Sequence, residues 1–396
     1  MIASLLARLR LHPTVWFIAS VHFVVDGYGN IFAPLLPLLI PRLDLSLAAA
    51  GTLTMLFQLS ASVSQIAFGH LADRWRPRQL LLTGPVISVL VLSFVGASTS
   101  MPMAATILIL GGLGGAAFHP PAAALAYRLG GDRPGLAMSV HITGGSLGFS
   151  MGPLLFAPFA QAYGLEWTPI LAIPGLAVVL FFLTRLPHVT WTTTTTPGFR
   201  ALRPYARPLA LLYFIVVLRT MTSIAFATFM PVLLTSRGMS LATSGTAVAT
   251  YLFASGIGGF LGGPAADRYG ARRVIALSLV LAVPFLFLAS LSDGWVFVIL
   301  VALGGFFLQS TLPVNVTFGQ ALAPVSAATV SSLMMGFAWG SGGLSVPFVG
   351  MVADRIGIES TLRGLALVPL AAAALAMPLP ARAPTRVEIP PAADPL

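Results

Sequence analysis

Residues 21–32 read VHFVVDGYGNIF and place His22, Asp26 and Asn30 four apart inside an otherwise apolar run. A helix turns once every ~3.6 residues, so an imidazole, a carboxylate and an amide share one face. Such a row can carry protons, hold a cation or hydrogen-bond a polar solute. Other chemistry-bearing side chains are also set among apolar neighbours: Gln58, His119, His141, Arg219, Gln309 and Asn315. Asp26 is the one carboxylate that falls well inside an apolar run. Arg219 is the one arginine that does. His119 and His141 lie equally far from Gly130, so two antiparallel helices joined there hold both imidazoles at one depth.

These residues sit in elements made for lipid. The chain has 396 residues, of which 57% are hydrophobic and only 8% charged, too few charges to cover a soluble protein of this length. The net charge of +10 does not imply nucleic acid, because the basic residues form short clusters between apolar runs and not a solvated face. All 21 of them are Arg. With no Lys, a phosphate-binding G-x-x-x-x-G-K loop cannot exist, and the glycine clusters lie inside apolar helices and not after strands, so nucleotide-driven and enzymatic readings fall away. With no Cys, disulfides and thiolate metal sites are excluded. The expected class is an all-α membrane protein with no cofactor.

Membrane-length runs of about 20 residues predict twelve spans near 14–40, 46–71, 79–98, 103–127, 135–162, 167–186, 209–235, 240–264, 274–291, 295–322, 327–352 and 361–379. With both termini cytoplasmic, 16 Arg fall inside and 4 outside, which sets the orientation. The organisation expected is an N-terminal six-helix bundle (1–186), a Thr-rich basic linker (187–208), a C-terminal six-helix bundle (209–380) and a Pro/Ala-rich tail (381–396). The first apolar run reads as an uncleaved span.

The halves repeat. GHLADRWRPRQ at 69–79 matches GPAADRYGARRV at 263–274; Asp73-Arg74 and Asp267-Arg268 are 194 residues apart, as are Pro153 and Pro347. Parallel six-helix repeats are a transporter architecture with the substrate site at mid-depth between them. The same offset carries Arg219 to position 25, beside Asp26. An acid and a base therefore face one cleft, either as a static ion pair or as a site where a proton and a substrate anion compete.

The G-x-L-A-D-R loop with trailing Arg at 69–74, which recurs at 263–268 with Ala265 in place of the Leu, resembles the loop signature of the major facilitator superfamily, and the likeness covers nearly the whole chain. Within it the chain is similar to the fosmidomycin-resistance branch, through His22-x-x-x-Asp26, Phe118-His119-Pro120, GGSLGFSMGP (144–153) and Arg219 followed by FMPVLL (229–234). That resemblance implies twelve helices in two pseudo-symmetric bundles and a secondary exporter driven by proton exchange. Gly144, Gly148, Gly152 and Pro153 resemble the antiporter signature of exporters; physically, they pack helices closely and kink the end of the span. The sequence departs from many drug–proton antiporters at LILGGLGGAA, where Leu108 stands in place of an Arg. Coupling then moves to Asp26, His22, His119 and Arg219.

The working assignment is proton coupling at Asp26, His22 and His119, and substrate binding at Arg219, Asn30, Gln58, His141, Gln309 and Asn315. Gating is assigned to Gly69, Asp73, Arg74, Arg78, Asp267, Arg268 and Arg272, through a charge cluster that latches the halves in one state. The expected partners are a small-molecule substrate, protons and the bilayer of the cell (inner) membrane, with the chain a monomer. Two alternatives remain open: an importer or exchanger of an organic anion clamped by Arg219, and a transporter of a metal or metal chelate through His22 and Asp26. No metal is assigned, because two or three ligands of unknown facing do not make a site.

Overall fold

Proline at the first helical turn or a serine cap marks where half of the helices described below begin. A computed structural model describes residues 11–74, 77–131, 134–186, 199–323, 330 and 332–381. Most of the linker and nearly all of the tail lie outside the described residues, as do the side chains of Asp73 and Arg74. Helix is the only regular structure among the described residues.

α1 spans Pro13–Leu43, broken at Asn30 and Ile31 into Pro13–Gly29 and Phe32–Leu43. His12 Nδ1 accepts from Thr14 N at its start, where Pro13 lacks the N–H that would go unpaired anyway. α2 follows a Ser46 cap and runs as Leu47–Gln58, a π-helical Leu59–Val63 and Ser64–Arg74. α3 is Pro77–Leu92, α4 Met101–Leu129, α5 Pro134–Tyr163 and α6 Leu165–Leu183, the last opening as a 3-10 turn. The second half repeats the series: α7 Ala206–Ser236, α8 Leu241–Tyr269, α9 Ala271–Ala289 and α10 Gly294–Leu322. α11 is Ser332–Phe337 (π-helical), Ala338–Gly343 and Val346–Ile356, and α12 is Ile358–Ala376. Nine helices among the described residues are long and apolar enough to cross a membrane. The expected twelve helices are present, in two bundles of six. Their even number puts residues 11 and 381 at the same end.

One feature departs from the simple spans expected. α2 and α11 each carry a π-helical stretch, and these stretches meet. Pro153 lies inside α5, which runs on to Tyr163 much as the expected span 135–162 does. A proline removes the N–H that would bond the carbonyl four residues back, here that of Phe149. Asn30 Nδ2 donates to that carbonyl at 2.8 Å and so replaces the missing bond from the next helix.

α1 packs most closely on α5, and the four-residue glycine repeat is the reason. A Cβ built at Gly144, Gly148 or Gly152 would collide with the backbone carbonyl of Ala19, Phe23 or Gly27 respectively. Three bare positions therefore meet three α1 carbonyls in the same register, and the two backbones touch.

Across the halves, α5 lies on α8, α2 on α11 and α1 on α7. The 194-residue offset runs through these seams. A Cβ at Gly245 would stand 2.8 Å from Pro153 O, and one at Gly51 would stand 2.7 Å from Val346 O and 2.9 Å from Pro347 Cα. Both contacts lie at the end of the molecule opposite the termini.

Candidate functional site

The register of α1 on α5 brings four titratable side chains together. Asp26 Oδ2 lies 3.2 Å from His22 Nε2, and Asp26 Oδ1 lies 3.5 Å from His119 Nε2 on α4. The His22 ring stacks on that of His141, centroids 4.2 Å apart, and its centroid is 5.0 Å from that of His119. Phe118 packs its edge against the group. His22, Asp26 and His119 keep 12%, 24% and 23% of their side-chain surface, so the cluster is reachable from open space, whereas His141 is buried.

One hydrogen bond fixes the protons of His22. Its Nδ1 is 2.9 Å from the backbone carbonyl of His141, and a carbonyl can only accept. Nδ1 is therefore the donor. Nε2 is left facing the carboxylate.

His22, Asp26 and His119 each offer a ligand atom, all within 4.8 Å of one another, which matches a transition-metal ion on donor type. The His22–Asp26 separation is equally that of a hydrogen bond, and no metal is assigned.

Arg219 is elsewhere. It is fully buried in the C-terminal half, where it donates from Nη1 to Gln309 Oε1 and from Nη2 to Thr220 Oγ1 (2.9 Å), with its guanidinium 5.5 Å from the centre of the Trp339 ring. Among the described residues it has no ion pair, and its Nε has no hydrogen-bond partner. Both amide atoms of buried Asn315 are likewise unpartnered. The acid–base pair expected between Asp26 and Arg219 is thus corrected. The carboxylate is satisfied by imidazoles of its own bundle, so each half keeps its own polar group.

The other expected residues divide. Gln309 joins Arg219. His141 supplies its carbonyl and ring to the Asp26 cluster. Asn30 is spent on the Phe149 carbonyl, and Gln58 packs at the α2–α11 seam, where a Cβ on Gly343 would meet its side chain at 2.9 Å.

The expected gate lies at the termini end. There a Cβ at Gly69 would make only ordinary contact, 3.7 Å from Pro120, and one at Gly263 would meet nothing within 4 Å, so neither glycine serves a close approach in this state. Arg78 is exposed, Arg268 lies over Tyr269, and Arg272 donates to the Leu379 carbonyl at 3.2 Å. The halves are joined by hydrogen bonds at the opposite end. Asp354 of α11 accepts from Leu47 N and Ala48 N of α2, at 2.8 and 3.0 Å, and Gln161 of α5 accepts from Ala242 N of α8, at 2.8 Å. Ala48 and Ala242 are 194 residues apart, and Gln161 and Asp354 are 193 apart. Within each half at this end, Arg42 pairs with Glu166 (3.6 Å) and Arg237 with Glu359 (3.1 Å) and Asp293 (3.2 Å). Sequence reasoning missed Asp354, Gln161, Thr220 and Trp339. The offset that relates Asp73 to Asp267 also relates the capped helix starts at Ala48 and Ala242, and it was the signal available.

A model of the Major Facilitator Superfamily matches residues 18–218 and, again, 209–394. The chain is 30% identical over 363 residues to the fosmidomycin resistance protein of Escherichia coli, covering 88% of each chain. It is 26% identical over 377 residues to the uncharacterised MFS-type transporter YfnC of Bacillus subtilis, covering 91% of each. Two solved structures share the fold. One is a bacterial homologue of the human lysosomal transporter Spinster in an inward-facing, unoccupied conformation, with TM-score 0.74 and 18% identity, covering 92% of this chain and 95% of that one. The other is the nucleoside transporter NupG, with TM-score 0.70 and 15% identity, covering 92% and 98%.

Proposed function

The chain belongs to the Major Facilitator Superfamily, and from that premise we propose that it is a proton-coupled antiporter exporting a small organic compound (a drug, phosphonate or metabolite) by alternating access. It is a multi-pass membrane transporter. In our reading it lies in the cell (inner) membrane with both termini cytoplasmic, works as a monomer, and is sealed outside and open inside in the state described.

The observation that carries the coupling is the bond from His22 Nδ1 to the His141 carbonyl. With that nitrogen committed, an unprotonated Nε2 and an ionised Asp26 would present lone pairs to each other at 3.2 Å and repel. A proton shared between them turns the contact into a hydrogen bond. Loss of that proton to the cytoplasm undoes the contact. Because His22 is tied to α5, and α1 and α5 both line the seam between the halves, protonation is linked to the helices that must rock.

Arg219 favours an anionic substrate. Its buried guanidinium has no counter-ion among the described residues, and the same half buries the unpartnered amide of Asn315, so a phosphonate or carboxylate would supply the missing charge. The same observation supports the second reading, import or exchange of an organic anion. The duplicated Asp73/Asp267 loops would latch the cytoplasmic end in the opposite state.

The test is transport of a panel of phosphonates, carboxylates and cationic drugs in proteoliposomes under an imposed pH gradient. Asp26→Asn is expected to abolish uphill transport and to retain substrate exchange. Full pH-driven transport by this variant would remove Asp26 from the mechanism.

A further inference from the structure

The contact between His22 and Asp26 is seated on a glycine that lies outside the four-residue repeat. Gly145 follows Gly144 and points about 100° further round α5. A Cβ there would stand 2.5 Å from His22 Cε1, 2.5 Å from His22 Nε2 and 2.6 Å from Asp26 Oδ2. The imidazole nitrogen and the carboxylate oxygen that share the proton thus close over the one bare spot that α5 offers them.

The obstacle differs in kind from those at the neighbouring glycines. At Gly144, Gly148 and Gly152 a methyl would meet α1 backbone, which cannot yield without parting the helices. At Gly145 it would meet the ends of two side chains, which can rotate aside. We propose that Gly145 is a positioning residue of the proton site: its missing side chain lets His22 and Asp26 meet, and a side chain there separates them while α1 and α5 stay packed. This rests on the proton-coupling reading above. The other titratable groups facing the pair are His119 from α4 and His141 from α5, and Asp26 Oδ1 keeps His119 within reach when the pair is parted.

The experiment needs no substrate. The melting temperature of the purified chain is followed from pH 4.5 to 8.5 for the parent, Asp26→Asn, Gly145→Ala, His22→Ala, the Gly145→Ala/His22→Ala double variant and Gly148→Ala. Gly145→Ala is expected to move the inflection by roughly half a pH unit or more, with its highest melting temperature close to that of the parent. Gly148→Ala is expected to melt lower at every pH. In the His22→Ala background the ring is gone and only the Asp26 carboxylate, now free to turn aside, faces the added methyl, so Gly145→Ala should shift the profile far less than it does in the parent. That comparison decides the matter even if Gly145→Ala alone folds poorly, because backbone strain would add to His22→Ala whereas displacement of the ring cannot. If Asp26→Asn titrates like the parent, the proton-coupling reading fails. If Asp26→Asn alters the profile but Gly145→Ala leaves the inflection in place, or is additive with His22→Ala, the positioning role is overturned.

Discussion

Asp354 Oδ1 accepts a hydrogen bond from Leu47 N at 2.8 Å, joining the end of α11 in one half to the start of α2 in the other. The carboxylate also takes Ala48 N and so caps a helix N-terminus that belongs to the opposite bundle. Gln161 does the same for α8 from the pseudo-equivalent position. Each cap exists only while this end is shut.

Losing a cap should therefore bias the conformational equilibrium and leave the bundles themselves intact. An N-cap contributes about 1 kcal/mol, so Asp354→Ala should raise the population opened at this end roughly fivefold. The native chain has no Cys, so a single Cys at Leu241, which is buried at this end beside Leu38 and Gln161 of the other half, reports opening by its labelling rate. Faster labelling in Asp354→Ala, and faster still when Gln161→Ala is added, is expected. Labelling of that Cys only from the cytoplasmic side would overturn the orientation proposed above.

Asn30→Ala should strand the Phe149 carbonyl, at a cost of about 1–3 kcal/mol, because Pro153 cannot supply the usual helical donor. Pro153→Ala restores an N–H at the right place. A thermal melt should show the double variant recovering most of what Asn30→Ala loses. Additive losses would rule out this compensation.

Arg219→Leu tests the anion site against a structural salt bridge. Breaking a buried ion pair costs about 3–5 kcal/mol, but Arg219 has no counter-ion among the described residues, and its removal frees two neutral acceptors, Gln309 Oε1 and Thr220 Oγ1, of which the hydroxyl can turn to its own helix, at about 1–3 kcal/mol. The melting temperature should drop modestly. Transport of anionic substrates should fall at least tenfold, the loss of one charge-assisted hydrogen bond, with neutral substrates much less affected. Equal losses for both classes would argue against a charge-reading role.

Much of this protein is written in period and composition. Apolar runs of membrane length give twelve helices, since backbone groups in lipid can pair only within a helix. The 194-residue offset gives two related halves, and four-residue spacing predicts that His22 and Asp26 meet and that Gly144, Gly148 and Gly152 line one packing face. Those features depend on neighbours along one helix or on a repeat, and both are visible in one dimension. Which helix approaches which, and in what register, is not. Tertiary packing gave Asp26 to His22 and His119 and left Arg219 to Gln309, although the offset had set acid and base side by side. It spent Asn30 on a carbonyl freed by Pro153, and it made Gly145, one step off the visible repeat, the seat of the His22–Asp26 contact. It also chose the closed end, where Asp354 and Gln161 cap helices more than eighty residues away in the chain. The reason is common to all of these. A buried polar group takes whichever partner the packed helices place within about 3 Å, and that distance is set by backbone contact between helices far apart in sequence.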